Sequence, residues 1–181
     1  MMQECLDSTS NFGVSLIETG SEVGEPAVPY SIGTLVDIVE VNKVDGGRMF
    51  ISVKGRQRFQ IKEILQYRPY IKAKIELLRD ESEVVSPEEM DFLRQTVTVY
   101  LRLIVGIQGG WIREIELTSQ SVELSYMIAG LLQIELLDKQ ALLEQPSGSK
   151  RLEAELGILE KEIRSLKERS ASQMRQKFGR N

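Results

Sequence analysis

The sequence has no histidine and one cysteine in 181 residues. Without an imidazole, neither a Ser-His-Asp nor a Cys-His arrangement can be built. A lone thiol excludes an internal disulfide and any multi-thiolate metal site. Cys5 also has no base to activate it, so it reads as a small core residue near a helix end. Phosphate-loop and dinucleotide glycine patterns are both missing. No serine stands in a recognisable nucleophile setting. Metal ligands could only be carboxylates, and Glu88, Glu89 and Asp91 are accounted for by the dipole at a helix start. Apolar runs are all shorter than the roughly 18 residues a membrane span needs. The opening residues, Met1 to Asp7, lack the basic stretch and apolar core of a secretory leader, so a reducing, cytoplasmic compartment is expected. These absences point to a binding module that takes no cofactor and catalyses nothing.

What is present is an ordinary globular composition, 41% hydrophobic and 28% charged. The net charge of −4 is unevenly spread: residues 150–181 hold nine Lys/Arg against five Asp/Glu, whereas residues 1–149 hold fourteen against twenty-two. An acidic body argues against phosphate and nucleic-acid surfaces. The basic tail, aromatic only at Phe178, reads as a solvated helix face.

The first half reads as strands. Met1 to Leu6 looks like the last turns of a helix, followed by a strand from Phe12 to Ile17 and a turn-rich stretch to Pro29. Ile32 to Val44 is rich in Val and Ile and flanked by glycines, which decides for strand over helix. Asp45-Gly46-Gly47 predicts a hairpin, because glycine accepts the positive φ such turns need. The next run alternates. Met49, Ile51, Val53, Phe59 and Ile61 share one face, and Arg48, Ser52, Lys54, Arg56, Arg58 and Gln60 share the other. Gly55 marks a bulge or bend. Ile64 to Pro69 reads as a connector. Ile71, Ala73, Ile75 and Leu77 then alternate with Lys72, Lys74 and Glu76, as in an antiparallel sheet with one wet side.

The second half reads as helices. Arg79 to Val85 is a charged linker, so the expected division is a β-rich part at 1–80 and a helical part at 81–181. Ser86-Pro87-Glu88-Glu89 predicts a helix start by cap, proline and first-turn acids. Gly106, Gly109 and Gly110 end that helix. Ser121 is expected to cap a second helix and Asp138 to open a third, up to Glu144. From about Lys150 a long helix carries Leu152, Leu156, Leu159, Ile163 and Leu166, a seam too short for a coiled coil. Ser170 to Asn181 is expected to fray.

Several stretches resemble the Lon N-terminal, or substrate-binding, domain of ATP-dependent proteases. They are Phe12-Gly13-Val14, Gly24, Ile32-Gly33-Thr34 with Ile38, Val53 to Phe59, and Pro69-Tyr70. Gly55 to Phe59, with Arg58, is the most specific piece. Glu123 to Tyr126, Lys139 to Glu144 and Arg151-Leu152-Glu153 are similar to stand-alone members from cyanobacteria and plastids. The resemblance implies an α+β fold, an antiparallel PUA-like pseudo-barrel followed by a helical bundle that ends in a long helix. It implies recognition of unfolded or damaged protein segments with no ATPase or protease of its own, a protease or chaperone working alongside, and the plastid stroma as a further possible location. Family members open with a Leu-Pro-Leu-Phe-Pro strand and a second strand, which this sequence does not show before Met1. The barrel is therefore expected to be incomplete, with an exposed sheet edge open to self-association.

Binding is expected on a sheet edge or in a groove between the two parts. Tyr30, Tyr67, Tyr70 and Trp111, at connectors and strand ends, are the candidate contacts for apolar peptide. Phe12, Gly13, Gly33, Gly55, Arg58 and Phe59 are expected to be structural, with Phe59 and Ile61 in the core and Arg56 and Arg58 on a solvated face. RNA binding, known for other PUA-like barrels, and an assembly role for the last helix are the competing readings.

Overall fold

The computed structural model describes residues 2–7, 11–21, 27–44, 46, 48–81, 84–113 and 115–178. Gly24 of the motif set, and Asp45 and Gly47 of the expected turn, lie outside them. The chain forms two compact units, residues 1–79 and 80–181.

The first unit holds a short helix, α1 (Met2–Asp7), and six strands: β1 (Asn11–Val14), β2 (Ile17–Thr19), β3 (Val28–Pro29), β4 (Ile32–Lys43), β5 (Met49–Gln66) and β6 (Lys72–Leu77). Four of them form one antiparallel sheet in the order β1-β4-β5-β6, while β2 and β3 pair separately. Among the described residues the sheet is open, with β1 and β6 at its edges. The expected strand from Phe12 to Ile17 is thus two strands in two sheets. Ser15 makes the break: its hydroxyl donates to the Tyr30 carbonyl at 2.7 Å, and the Tyr30 N–H donates to the Leu16 carbonyl at 2.8 Å.

β4 and β5 pair from Ile32 opposite Gln60 to Lys43 opposite Met49. Val44 N–H donates to the Arg48 carbonyl across the turn, and Gly46 takes the left-handed φ of 82°. The ladder slips twice. Gln57 and Gly55 face consecutive residues of β4, which leaves Arg56 extra beside Gly55; Val39 is the extra residue of β4. Bulges reset the alternation, so parity along β5 does not hold from end to end. Val53, expected inside, is 41% exposed. Arg58 keeps its expected place on the face opposite Phe59, with no slip between them, yet that face is not wet there: Arg58 is 3% exposed. The stretch read as a connector from Ile64 is strand as far as Gln66, where it pairs with Lys72.

The second unit packs four helices, α2 (Pro87–Ile107), α3 (Ser121–Leu131), α4 (Leu136–Glu144) and α5 (Gly148–Phe178). α2 starts as the sequence predicts. The Ser86 hydroxyl accepts from Glu89 N–H, and the Glu89 carboxylate accepts from Ser86 N–H, a reciprocal capping box. Those bonds hold the Glu89 carboxyl below its usual pKa. Gly109, at φ 81°, turns the chain after the last turn of α2. The starts of α3 and α4 differ from expectation: Gln120 and Glu135 stand at the caps with no side-chain cap bond. α5 stays helical to Phe178, beyond the expected fraying point at Ser170, although the last of its described residues to be buried is Leu166.

Twelve buried apolar residues from Met90 to Leu166 make one core in this unit. Arg151, with no solvent exposure, ties its polar parts together. Its guanidinium donates to the Leu142 carbonyl (3.0 Å), the Ser125 hydroxyl (2.7 Å), the Asp80 carboxylate (2.8 Å) and the Gln145 carbonyl (3.2 Å). It lies 4.1 Å from the centroid of the Tyr126 ring, whose hydroxyl donates to the same carboxylate. The Ser125-Tyr126 and Arg151 motifs of the sequence are therefore one structural lock. One turn further along α5, Glu155 is also fully buried, and burial pushes its carboxyl up to about 9 despite the nearby Arg151.

Candidate polypeptide-binding groove

Phe59 organises the inner face of the sheet. It pairs with Gly33 on β4, and its ring lies across Gly33 and Gly13. A Cβ on Gly33 would come within 2.6 Å of the ring's Cζ and 2.5 Å of the Val14 carbonyl oxygen, and one on Gly13 within 2.9 Å of Cζ. The two glycines are thus seats for an aromatic ring. This is the physical content of the Phe12-Gly13, Gly33 and Phe59 motifs. Gly55 has no such duty: a Cβ there meets only Thr34 Cγ2 at 3.6 Å.

Beside this ring lies a groove of about 680 Å³, formed wholly by residues of the first unit. Leu35, Phe59, Ile61, Ala73 and Ile75 contribute apolar surface from β4, β5 and β6. The turn after β5 supplies Tyr67, Arg68, Pro69 and Tyr70, with a cis bond between Arg68 and Pro69. Gln66 steadies this turn by donating from Nε2 to the Tyr70 carbonyl at 3.2 Å. Ile71 and Ile75, placed on a dry face by their alternation, are 37% and 39% exposed at the groove and sheet edge.

At the rim the Tyr70 hydroxyl donates to the Glu4 carboxylate of α1. That bond holds the Glu4 carboxyl below its ordinary pKa. Lys72 lies 5.1 Å from the Tyr70 ring centroid, and the same tyrosine raises its pKa. Asn11, Ser15 and Ser21 join the lining, and Arg68 is its one charged residue among the described residues.

Of the four aromatic residues named from sequence, Tyr67 and Tyr70 line the groove. Tyr30 is half-buried next to it, fixed through its backbone to Ser15 and Leu16. Trp111 belongs to the helical unit and is 79% exposed. Sequence reasoning missed Arg68, whose only signal was its place between two tyrosines, and took Ile61 for plain core.

The description "ATP-dependent protease La (LON) substrate-binding domain" fits residues 1–161 of the chain as a family model. Among curated proteins, the Lon protease of Syntrophomonas wolfei is 31% identical over 140 residues, covering 76% of this chain. The Lon protease of Buchnera aphidicola subsp. Baizongia pistaciae is 26% identical over 168 residues, covering 88%. The chain spans 17% and 21% of the lengths of these two relatives. The crystal structure of a Lon N-terminal domain protein from Xanthomonas campestris superposes with a TM-score of 0.63 at 22% identity, covering 86% of this chain and 80% of that one. The N-terminal domain of the Mycobacterium avium complex Lon protease gives 0.51 at 16% identity, covering 83% and 89%. These two likenesses bear on the fold.

Proposed function

The chain belongs to the substrate-binding domain family of ATP-dependent protease La (Lon), and from that membership we propose that it holds exposed apolar segments of unfolded or damaged proteins without cutting them. The observation that carries this reading is the apolar groove beside Phe59. A segment laid there removes aliphatic side chains from water at about 25 cal/mol per Å², whatever their order in sequence. Tyr67 and Tyr70 at the mouth supply rigid, amphipathic contact area. The edge strands β1 and β6 can offer backbone partners to an extended chain. A tolerant apolar floor with backbone pairing suits a binder that must accept many clients. A protease or chaperone acting alongside, in cytoplasm or stroma, would take the client onward.

Fluorescence anisotropy with a labelled, extended apolar peptide tests the reading. Ile61→Asp and Ile75→Asp each place a charge in the groove and should weaken binding by about tenfold or more, since a buried unpaired carboxylate costs several kcal/mol. Circular dichroism checks that both variants remain folded. Trp111→Ala, in the helical unit, should change affinity little. Full binding by the folded groove variants, or loss confined to Trp111→Ala, would refute the groove as the site.

A further inference from the structure

The mouth of the groove differs in chemistry from its floor. Among the described residues, Arg68 is the one charged residue in the lining. It is exposed, and among the described residues its guanidinium has no hydrogen-bond or ion-pair partner. Two other cations of the same sheet are paired in place: Arg56 stands 3.5 Å from Asp37 and Lys62 stands 2.6 Å from Glu76. Lys72 adds a second positive charge at this end, over the Tyr70 ring. An unneutralised guanidinium beside an apolar cleft favours a ligand that brings an anion with its apolar group.

The chain itself shows what this rim accepts. Glu4 of α1 sets its carboxylate on the Tyr70 hydroxyl, and that contact favours the ionised form. It is a side-chain carboxylate in a peptide that runs on in both directions. A chain passing the rim can therefore deliver an acidic side chain without ending there.

We propose that the groove selects polypeptide segments in which an acidic side chain neighbours the apolar one, the apolar group entering beside Phe59 and the carboxylate meeting Arg68 at the mouth. This rests on the polypeptide-binding reading above and adds a charge preference to it. Arg68 is then a specificity residue. Guanidinium suits the role because its planar donors can meet both oxygens of a carboxylate.

The test uses the full chain and three labelled peptides with one apolar core, acetylated and amidated so that no terminal charge remains. They carry Glu, Gln or Lys beside the apolar residue. The Glu peptide should bind about fivefold more tightly than the Lys peptide, the size of an exposed ion pair. That gap should shrink between about 50 mM and about 500 mM salt. Arg68→Glu should invert the order, Arg68→Gln should shrink it to the remnant that Lys72 supports, and the Gln peptide should bind all three proteins alike. Arg68 is exposed and unpaired, so both variants should melt with the wild type. If all three peptides bind but the order is absent, or survives Arg68→Glu, the charge preference is wrong and the polypeptide-binding reading stands. If no peptide binds, both fail.

Discussion

At the scale of single residues, two glycines of the same motif set have opposite consequences. Gly33 cannot gain a Cβ without moving either a backbone oxygen at 2.5 Å or the Phe59 ring at 2.6 Å. Gly33→Ala should cost about 2–3 kcal/mol through overpacking. Gly55→Ala meets one methyl at ordinary contact distance, so it should be neutral or slightly stabilising as the unfolded chain loses freedom. Urea midpoints of the two variants check this, and equal losses would count against the ring-seat account. Glu155 makes a prediction with a definite sign. Its carboxyl is raised to about 9 in the folded core, against 4.5 as the ordinary value. Below about pH 4.5 both folded and unfolded chains hold the proton, and the side chain costs nothing electrostatic. As pH rises from there towards 9 the unfolded chain ionises while the core keeps its proton, so stability falls across that window and then levels. Glu155→Gln should therefore stabilise the protein near pH 8, by up to about 2–3 kcal/mol, and gain little near pH 4.5. Denaturant titrations at the two pH values decide the matter; a gain independent of pH would mean that Glu155 is charged in the fold.

At the scale of elements, deletion of residues 168–181 removes the end of α5 beyond Leu166, its last buried side chain among the described residues. The cut should change the stability of the helical unit by less than about 0.5 kcal/mol, as other surface changes do. A larger loss in thermal melts would show that the end of α5 supports the bundle. The elements that were legible in the sequence are those whose signal is local. The Ser86 cap with Glu89 three residues on, the Val-rich β4 and the glycine-marked hairpin could each be read from a few adjacent residues. What was not legible depends on partners far along the chain. Ser15 divides the first strand because its hydroxyl reaches Tyr30. Two bulges shift β5 against β4, so simple alternation put Val53 inside although it is 41% exposed; Arg58 does face away from Phe59 as alternation requires, but it is buried there, which alternation alone does not show. Gln120 and Glu135 begin helices without a cap bond because tertiary packing of Leu124, Ile128 and Leu142 holds those helices in place. In the groove, the tyrosines were visible as loop aromatics. Arg68 was not, because only the folded turn shows that it is the one charge among the described residues of an apolar lining.

At the scale of the whole molecule, the two units hold very different shares of buried apolar surface. All twelve core-cluster residues lie between Met90 and Leu166, inside the second unit. The first unit buries Val36 and Phe59 among its apolar residues, while Val14, Ile75 and Leu77 on its edge strands are 48%, 39% and 49% exposed. A fragment of residues 80–181 begins at Asp80, so it keeps the carboxylate that Arg151 and Tyr126 share. It should fold alone, with helical circular dichroism and a cooperative melt that does not depend on concentration. A fragment of residues 1–79 is a different case. A sheet of this size, open among its described strands and with part of its apolar surface exposed, sits near the limit of independent stability. Pairing of one copy's edge strand with another's would satisfy backbone groups and cover apolar surface together. The midpoint of the 1–79 fragment should accordingly be low and should rise over a hundredfold increase in concentration, with larger species in sedimentation velocity. A monomeric 1–79 fragment stable by more than about 5 kcal/mol at low micromolar concentration would show that the open edge carries no such cost. Self-association through the sheet would then have no driving force.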